Sequence, residues 1–166
     1  PQISPSATNP KYTRQGYKGA FRVFADDVQQ GHALGTFATG KLGVRRIAII
    51  DDRTAYGQGL ADEFEKAAKA AGATIVTREY TTDKATDFAA ILTKVKSTTP
   101  DLLFYGGMDP QAGPMARQLK TLGVAVPMLF GDGACTVEFH KLAGDGAEGH
   151  YCSLPGVPLE KMAGGN

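Results

Sequence analysis

Arg45-Arg46-Ile47-Ala48-Ile49-Ile50-Asp51-Asp52-Arg53-Thr54-Ala55-Tyr56-Gly57-Gln58-Gly59-Leu60-Ala61-Asp62-Glu63-Phe64 is the stretch that decides the fold of this chain. Ile47 to Ile50 is an unbroken apolar run, too short for a core helix and rich in β-branched residues. It reads as a strand buried on both faces at the centre of a parallel sheet. Asp51 and Asp52 end the run, and a loop with Tyr56, Gly57 and Gly59 leads into a helix whose apolar side is Leu60, Phe64, Ala67 and Ala71. Open α/β sheets bind ligands outside the carboxyl ends of their strands. The loop from Asp51 to Gly59 is therefore the first place to look for function.

Working outward, the same alternation repeats. Upstream, Phe21 to Phe24 reads as a strand, and Asp26 or Asp27 caps a helix reaching about Thr39 with Leu34, Phe37 and Ala38 inward. Downstream, Gly72 stops the Tyr56 helix and Thr74 to Thr77 forms a strand. A helix from Thr86 or Asp87 then places Phe88, Ile91, Leu92 and Val95 on one face. Leu102 to Tyr105 is a third strand, and Asp109 with Pro110 supplies the cap and first turn of a helix with Met115, Leu119 and Leu122 inward. Pro114 falls near that first turn. Strands over Val126 to Phe130 and His150 to Leu154 flank a short helix at Val137 to Leu142. The pattern predicts an α/β fold: a flavodoxin-like, doubly wound parallel sheet of about five strands with helices on both faces. Pro1 to Tyr17, rich in Pro, Ser, Thr and Asn, reads as extended or looping backbone. Pro155 to Asn166 loses periodicity and reads as a hinge or linker.

The 166 residues amount to one domain, with 18 Lys and Arg against 17 Asp and Glu interspersed along the chain. No basic stripe points to nucleic acid, and no apolar run is long enough to cross a bilayer as a helix. Cys135 and Cys152 are compatible with a disulfide or with two buried thiols. Enzyme signatures fail one by one. Gly57 and Gly59 lack the third glycine of a dinucleotide loop, because Asp62 occupies that position. There is no phosphate loop and no Gly-x-Ser-x-Gly elbow. His32, His140 and His150 lie on separate elements without metal spacing. Asp51 and Asp52 resemble the acidic pair of a phospho-acceptor domain, but Gly106-Gly107 stands where the acceptor aspartate would be. They are expected to cap loop amides. What remains suits a small polar molecule: Ser4, Ser6 and Thr8 on the first segment, Tyr56, Met108 and Asp132 at strand ends. Hydroxyls donate to a carboxylate, an acid pairs with an ammonium, and Tyr56 and Met108 offer apolar surface. No cofactor or metal is expected.

Five motifs in order resemble the type I periplasmic binding proteins, most of all the branched-chain amino acid-binding proteins of ABC transporters. They are Ile3 to Pro10, Asp51 to Gly59, Tyr105 to Pro110, Gly131 to Gly133 and Ala143 to Gly149. The resemblance covers nearly the whole chain and matches only the family's second lobe. It implies a crossing segment at 1–20, a ligand-binding lobe at 21–154 and a truncated hinge or linker at 155–166. It also implies the first lobe of the same protein and a membrane permease as partners, export to the periplasm, and a small amino acid or related solute as ligand. Carried over, Ser6 and Thr8 contact the ligand's α-amino and α-carboxylate groups. Tyr56 closes over the ligand, and Asp132 pairs with the ammonium. Branched-chain binders typically have glutamate where Asp132 stands and often tyrosine where Met108 stands. These departures leave the ligand open between leucine, isoleucine or valine and an aromatic or other small amide or acid. The relatives' export implies a compartment where a Cys135–Cys152 disulfide persists. A second reading with the same fold is the ligand-binding domain of a receptor or of an amide-responsive regulator.

Overall fold

A computed structural model describes residues 1–154 and Gly156, so the expected linker at 155–166 lies almost wholly outside the described residues. Its principal sheet is made of β3 (Arg46–Asp51), β4 (Thr74–Tyr80), β5 (Leu102–Gly106), β6 (Met128–Phe130) and β7 (Tyr151–Cys152). All pairings are parallel and the spatial order is β4-β3-β5-β6-β7. This is the flavodoxin-like order, with the chain reversing direction of growth between β3 and β5. Ile47 to Ile50 on the second strand are fully buried.

The reason the run is apolar throughout is visible in the packing. Ile47 and Ile49 join Leu102, Phe104 and Leu129 in one core under α2 (Asp27–Thr36) and α3 (Ala55–Ala70). Ala48 and Ile50 join Leu103, Tyr105, Met128 and Phe130 in a second core, under α4 (Ala89–Ser97), α5 (Asp109–Thr121) and α6 (Val137–Ala143). Alternate residues of each strand thus feed opposite faces, as a doubly covered parallel sheet requires. Phe64 of α3 stacks on Phe104 with ring centroids 3.8 Å apart. The two helices on that face run in close contact because Gly31 of α2 has no side chain: a Cβ there would come within 2.7 Å of the Glu63 and Phe64 backbone.

Several local expectations are corrected. The Phe21 to Phe24 strand is instead β2 (Ala20–Arg22), paired in parallel with β1 (Gln2–Ser4) as a separate two-stranded sheet. Part of the stretch read as loop thus forms regular structure, β1 and the one-turn helix α1 (Lys11–Arg14). Arg22 organises it, its guanidinium donating to the Ala7 and Asn9 carbonyls (2.9 and 3.1 Å) and to Thr13 Oγ1 at 2.7 Å. Such bonds join residues too distant in sequence for a local pattern to reveal. Helix α2 ends at Thr36 and continues as a π-helical turn, Phe37–Lys41. Met108, not Asp109, caps α5; the Asp109 carboxylate accepts from the Thr136 hydroxyl at 2.7 Å. Pro114 sits in the second turn of that helix. Cys135 and Cys152 are joined by a disulfide with Cα atoms 5.5 Å apart, which links the loop after β6 to the end of β7. His150 is structural, its Nδ1 accepting the Met128 amide at 3.0 Å, and burial holds its pKa below the usual range.

Candidate functional site

Because every strand of the main sheet is parallel, the loops leaving β3, β5 and β6 emerge at one edge. The β3 loop is held by its own aspartates: Asp51 Oδ1 accepts the Arg53 amide at 3.1 Å, and Asp52 Oδ1 accepts the Thr54 amide and hydroxyl at 2.9 and 2.6 Å. Thr54 then caps α3 through the Gly57 amide. This sets Tyr56 in the first turn of α3, facing the loop after β6.

There the Tyr56 hydroxyl donates to Asp132 Oδ1 at 3.0 Å and accepts the Gly133 amide at 3.0 Å. Burial, followed by the charge of Asp132, drives the Tyr56 phenol far above its ordinary pKa, so it remains a neutral donor. Gly133 is required: a Cβ there would meet Met108 Sδ at 2.5 Å and the Tyr56 ring at 2.8 Å. Tyr56, Met108, Asp132 and Gly133 thus form one cluster, with Met108 left 48% exposed. Asp132 is half-buried. Its Oδ1 carries two hydrogen bonds, whereas Oδ2 receives none from the described residues and is not enclosed.

Thr8 is buried, and its carbonyl accepts the Asp27 amide at 2.9 Å, which ties the first segment to the start of α2. Ser6 is exposed; its amide donates to Ser4 Oγ at 3.3 Å, and no described hydrogen bond joins it to Tyr56 or Asp132. Sequence reasoning missed two residues here. Gln30, 4% exposed, donates from Nε2 to Asp132 Oδ1 at 2.8 Å. Asp27 is fully buried, and neither of its carboxylate oxygens has a hydrogen-bond partner. Burial raises the Asp27 pKa to about 6; the Thr8 hydroxyl, near it but outside good hydrogen-bond geometry, and the Arg22 charge oppose this, while Asp132 and Asp26 reinforce it. Asp26 alone provides the cap of α2, in a reciprocal capping box with Gln29. A signal for Gln30 did exist. It stands at the i position of the buried stripe Gln30, Leu34, Ala38, where an apolar residue belongs.

The cluster offers one free carboxylate oxygen beside an aromatic ring and a thioether. Among the described residues no group of three or more His, Cys, Asp or Glu is placed to hold a metal ion.

A flavodoxin-like lobe with its polar cluster on the carboxyl edge defines the structural class, and comparison with known proteins narrows it. A family model described as periplasmic binding protein matches residues 1–164. The chain belongs to that family. It is 38% identical over 148 residues to the Leu/Ile/Val-binding protein homolog 1 of Brucella abortus, covering 89% of this chain and 40% of the relative. Among solved structures it superposes on a leucine binding protein of Thermotoga maritima with a TM-score of 0.83 and 31% identity, over 88% of this chain and 41% of that one. A branched-chain amino acid transporter substrate binding protein of Streptococcus pneumoniae, in complex with isoleucine, gives a TM-score of 0.79 and 29% identity over 87% and 40% of the two chains. The chain spans about 40% of the length of the curated relatives it matches.

Proposed function

We propose that this chain is the ammonium-binding lobe of a two-lobed, exported solute-binding protein that captures a small amino acid or related solute and passes it to an ABC permease. The observation that carries this reading is the Asp132 carboxylate, fixed through Oδ1 by Gln30 and Tyr56 with Oδ2 left for a cation. Relatives named for binding leucine, isoleucine and valine, and the isoleucine complex, support the ligand class. In this reading residues 1–20 form the crossing from the first lobe, and the first lobe supplies the ligand's remaining contacts. Thr8 and Ser6 contribute from the crossing, Tyr56 and Met108 form the wall, and no bond is made or broken. Capture is a population shift, because the ligand touches both lobes only when they are closed together.

The test is a calorimetric screen of the twenty standard L-amino acids on the full-length protein and its Asp132→Asn variant. Losing a charge-assisted hydrogen bond in a closed cleft weakens binding about 100-fold. The reading is wrong if no amino acid binds, or if Asp132→Asn binds as tightly as the parent.

A further inference from the structure

We infer that Gln30 is a positioning residue of the ligand site, setting the Asp132 carboxylate for the cation and tying it to the strand end at Ser153. The inference rests on the reading of Asp132 given above and adds a residue that does not itself touch the solute.

The geometry is specific to a carboxamide. Gln30 Nε2 donates to Asp132 Oδ1 at 2.8 Å, while Gln30 Oε1 accepts the Asp132 amide at 3.3 Å and the Ser153 hydroxyl at 2.7 Å. The backbone N–H of Asp132 can only donate and its carboxylate can only accept, so the side-chain amide has one workable orientation. One group therefore grips both the main chain and the side chain of a residue 102 positions away. Gln30 is 4% exposed, so its end of these part-buried bonds is shielded from water, which strengthens them.

Two consequences follow for ligand capture. With Gln30 and Tyr56 both on Oδ1, the carboxylate is held in one rotamer with Oδ2 outward, so little side-chain entropy remains to be lost on binding. Ser153 immediately follows β7, and the neighbouring Cys152 is bonded to Cys135, three residues past Asp132. The Asp132 turn and the end of β7 are thus joined twice, covalently through the disulfide and by hydrogen bonds through Gln30. Glutamate would fit the space at position 30, but it would turn a carboxylate toward Asp132 Oδ1.

The experiment is a double-mutant cycle on the full-length protein, with the tightest binder among the twenty L-amino acids as probe. Gln30→Met keeps the length of the side chain and removes both hydrogen-bonding ends; it weakens binding about tenfold in the parent and not at all in an Asp132→Asn background. Gln30→Glu weakens it more than Gln30→Met, and Ser153→Ala weakens it about threefold, with circular dichroism unchanged. Equal losses from Gln30→Met in both backgrounds would show a merely structural glutamine and overturn the inference, as would an unaffected Ser153→Ala together with Gln30→Glu at parent affinity. If Gln30→Met does not fold, the Gln30→Glu and Ser153→Ala arms decide by the same cycle. A parent whose affinity is untouched by Asp132→Asn fails at the earlier step, overturning the site reading and this inference together, and is thereby told apart from failure of the Gln30 arm alone.

Discussion

Asp51 and Asp27 are both fully buried acids, both upstream of Tyr56 in the sequence, and their surroundings could hardly differ more. Asp51, at the end of β3, accepts the Arg53 amide, and its other oxygen pairs with Arg78 of β4 at 2.8 Å. Arg78 also reaches Asp62 and Glu65 of α3 at 2.7 and 2.6 Å, and Glu65 pairs with Lys69 at 2.6 Å. Asp27, at the start of α2, has no well-formed hydrogen bond to either oxygen, and burial together with the nearby acids Asp132 and Asp26 outweighs the Thr8 hydroxyl and the Arg22 charge that favour its ionised form. At the β4 edge of the sheet the fold pairs a buried carboxylate directly with a cation. Beside the proposed ligand cluster it leaves one only partly compensated. A structural acid is kept because its partners satisfy it, whereas an acid left unsatisfied in a packed lobe lowers stability and calls for another reason to be there.

The contrast breaks most directly at Arg78. Arg78→Met strips Asp51 of its cation while leaving the carboxylate fully buried, and leaves Asp62 and Glu65 crowded on α3. Removing one partner of a buried ion pair costs about 3 to 5 kcal/mol. Urea unfolding is expected to show that loss. Amino-acid affinity at temperatures where the variant stays folded should be unchanged, since among the described residues no hydrogen bond or ion pair joins the network to Asp132. An affinity loss comparable to that of Asp132→Asn would mean the two regions are coupled and the contrast is false.

Asp27→Asn should act with the opposite sign and with a defined pH dependence. A folded-state pKa of about 6, against an ordinary aspartate value of 3.8, means that the native state holds its proton more tightly than the unfolded chain. Asp27 is therefore harmless below about pH 4, grows destabilising as pH rises toward 6, and exerts its full cost above that. At 1.36 kcal/mol per pKa unit the cost is at most about 3 kcal/mol. Asparagine mimics the protonated acid, so the variant and parent should unfold alike near pH 4, with the variant more stable at pH 7. A variant less stable than the parent at pH 7 would show that the Asp27 charge is compensated after all.

The same contrast marks how far the sequence could be read. Ile47 to Ile50, the Gly72 stop and the Phe88 to Val95 stripe are local signals, because burial on two faces, a left-handed turn (φ 89° at Gly72) and a helical period are each imposed within a few residues. The sheet order and the placing of Tyr56, Met108 and Asp132 at its carboxyl edge follow from those signals and from the rules for parallel crossovers. The pairing of β1 with β2, the role of Gln30, and the burial of Asp27 rather than Asp26 depend on partners brought close only by the folded chain. Asp109 departs from its expected role as a cap for a related reason. Its carboxylate answers to Thr136, 27 residues on, and not to its own helix.

The finest distinction lies within the ligand cluster, between the residue that would hold charge and the one that would hold shape. Met108 caps α5 without any side-chain hydrogen bond and is 48% exposed, with its sulfur against the space that Gly133 leaves open. Truncating it breaks no polar contact, so Met108→Ala should change the unfolding free energy of the lobe by less than about 0.5 kcal/mol, as for a surface substitution. In a closed two-lobed protein, however, the thioether would be covered by the solute's side chain. Burying about half of a methionine side chain stabilises by about 1 kcal/mol, or roughly fivefold in affinity. That loss should appear for solutes with long apolar or aromatic side chains and vanish for glycine, which has nothing to set against the sulfur. Calorimetry with glycine, isoleucine and phenylalanine on the full-length variant separates the cases. An equal loss for all three would mean that Met108 acts by holding the loop around Gly133, and would leave Tyr56 alone as the wall of the site.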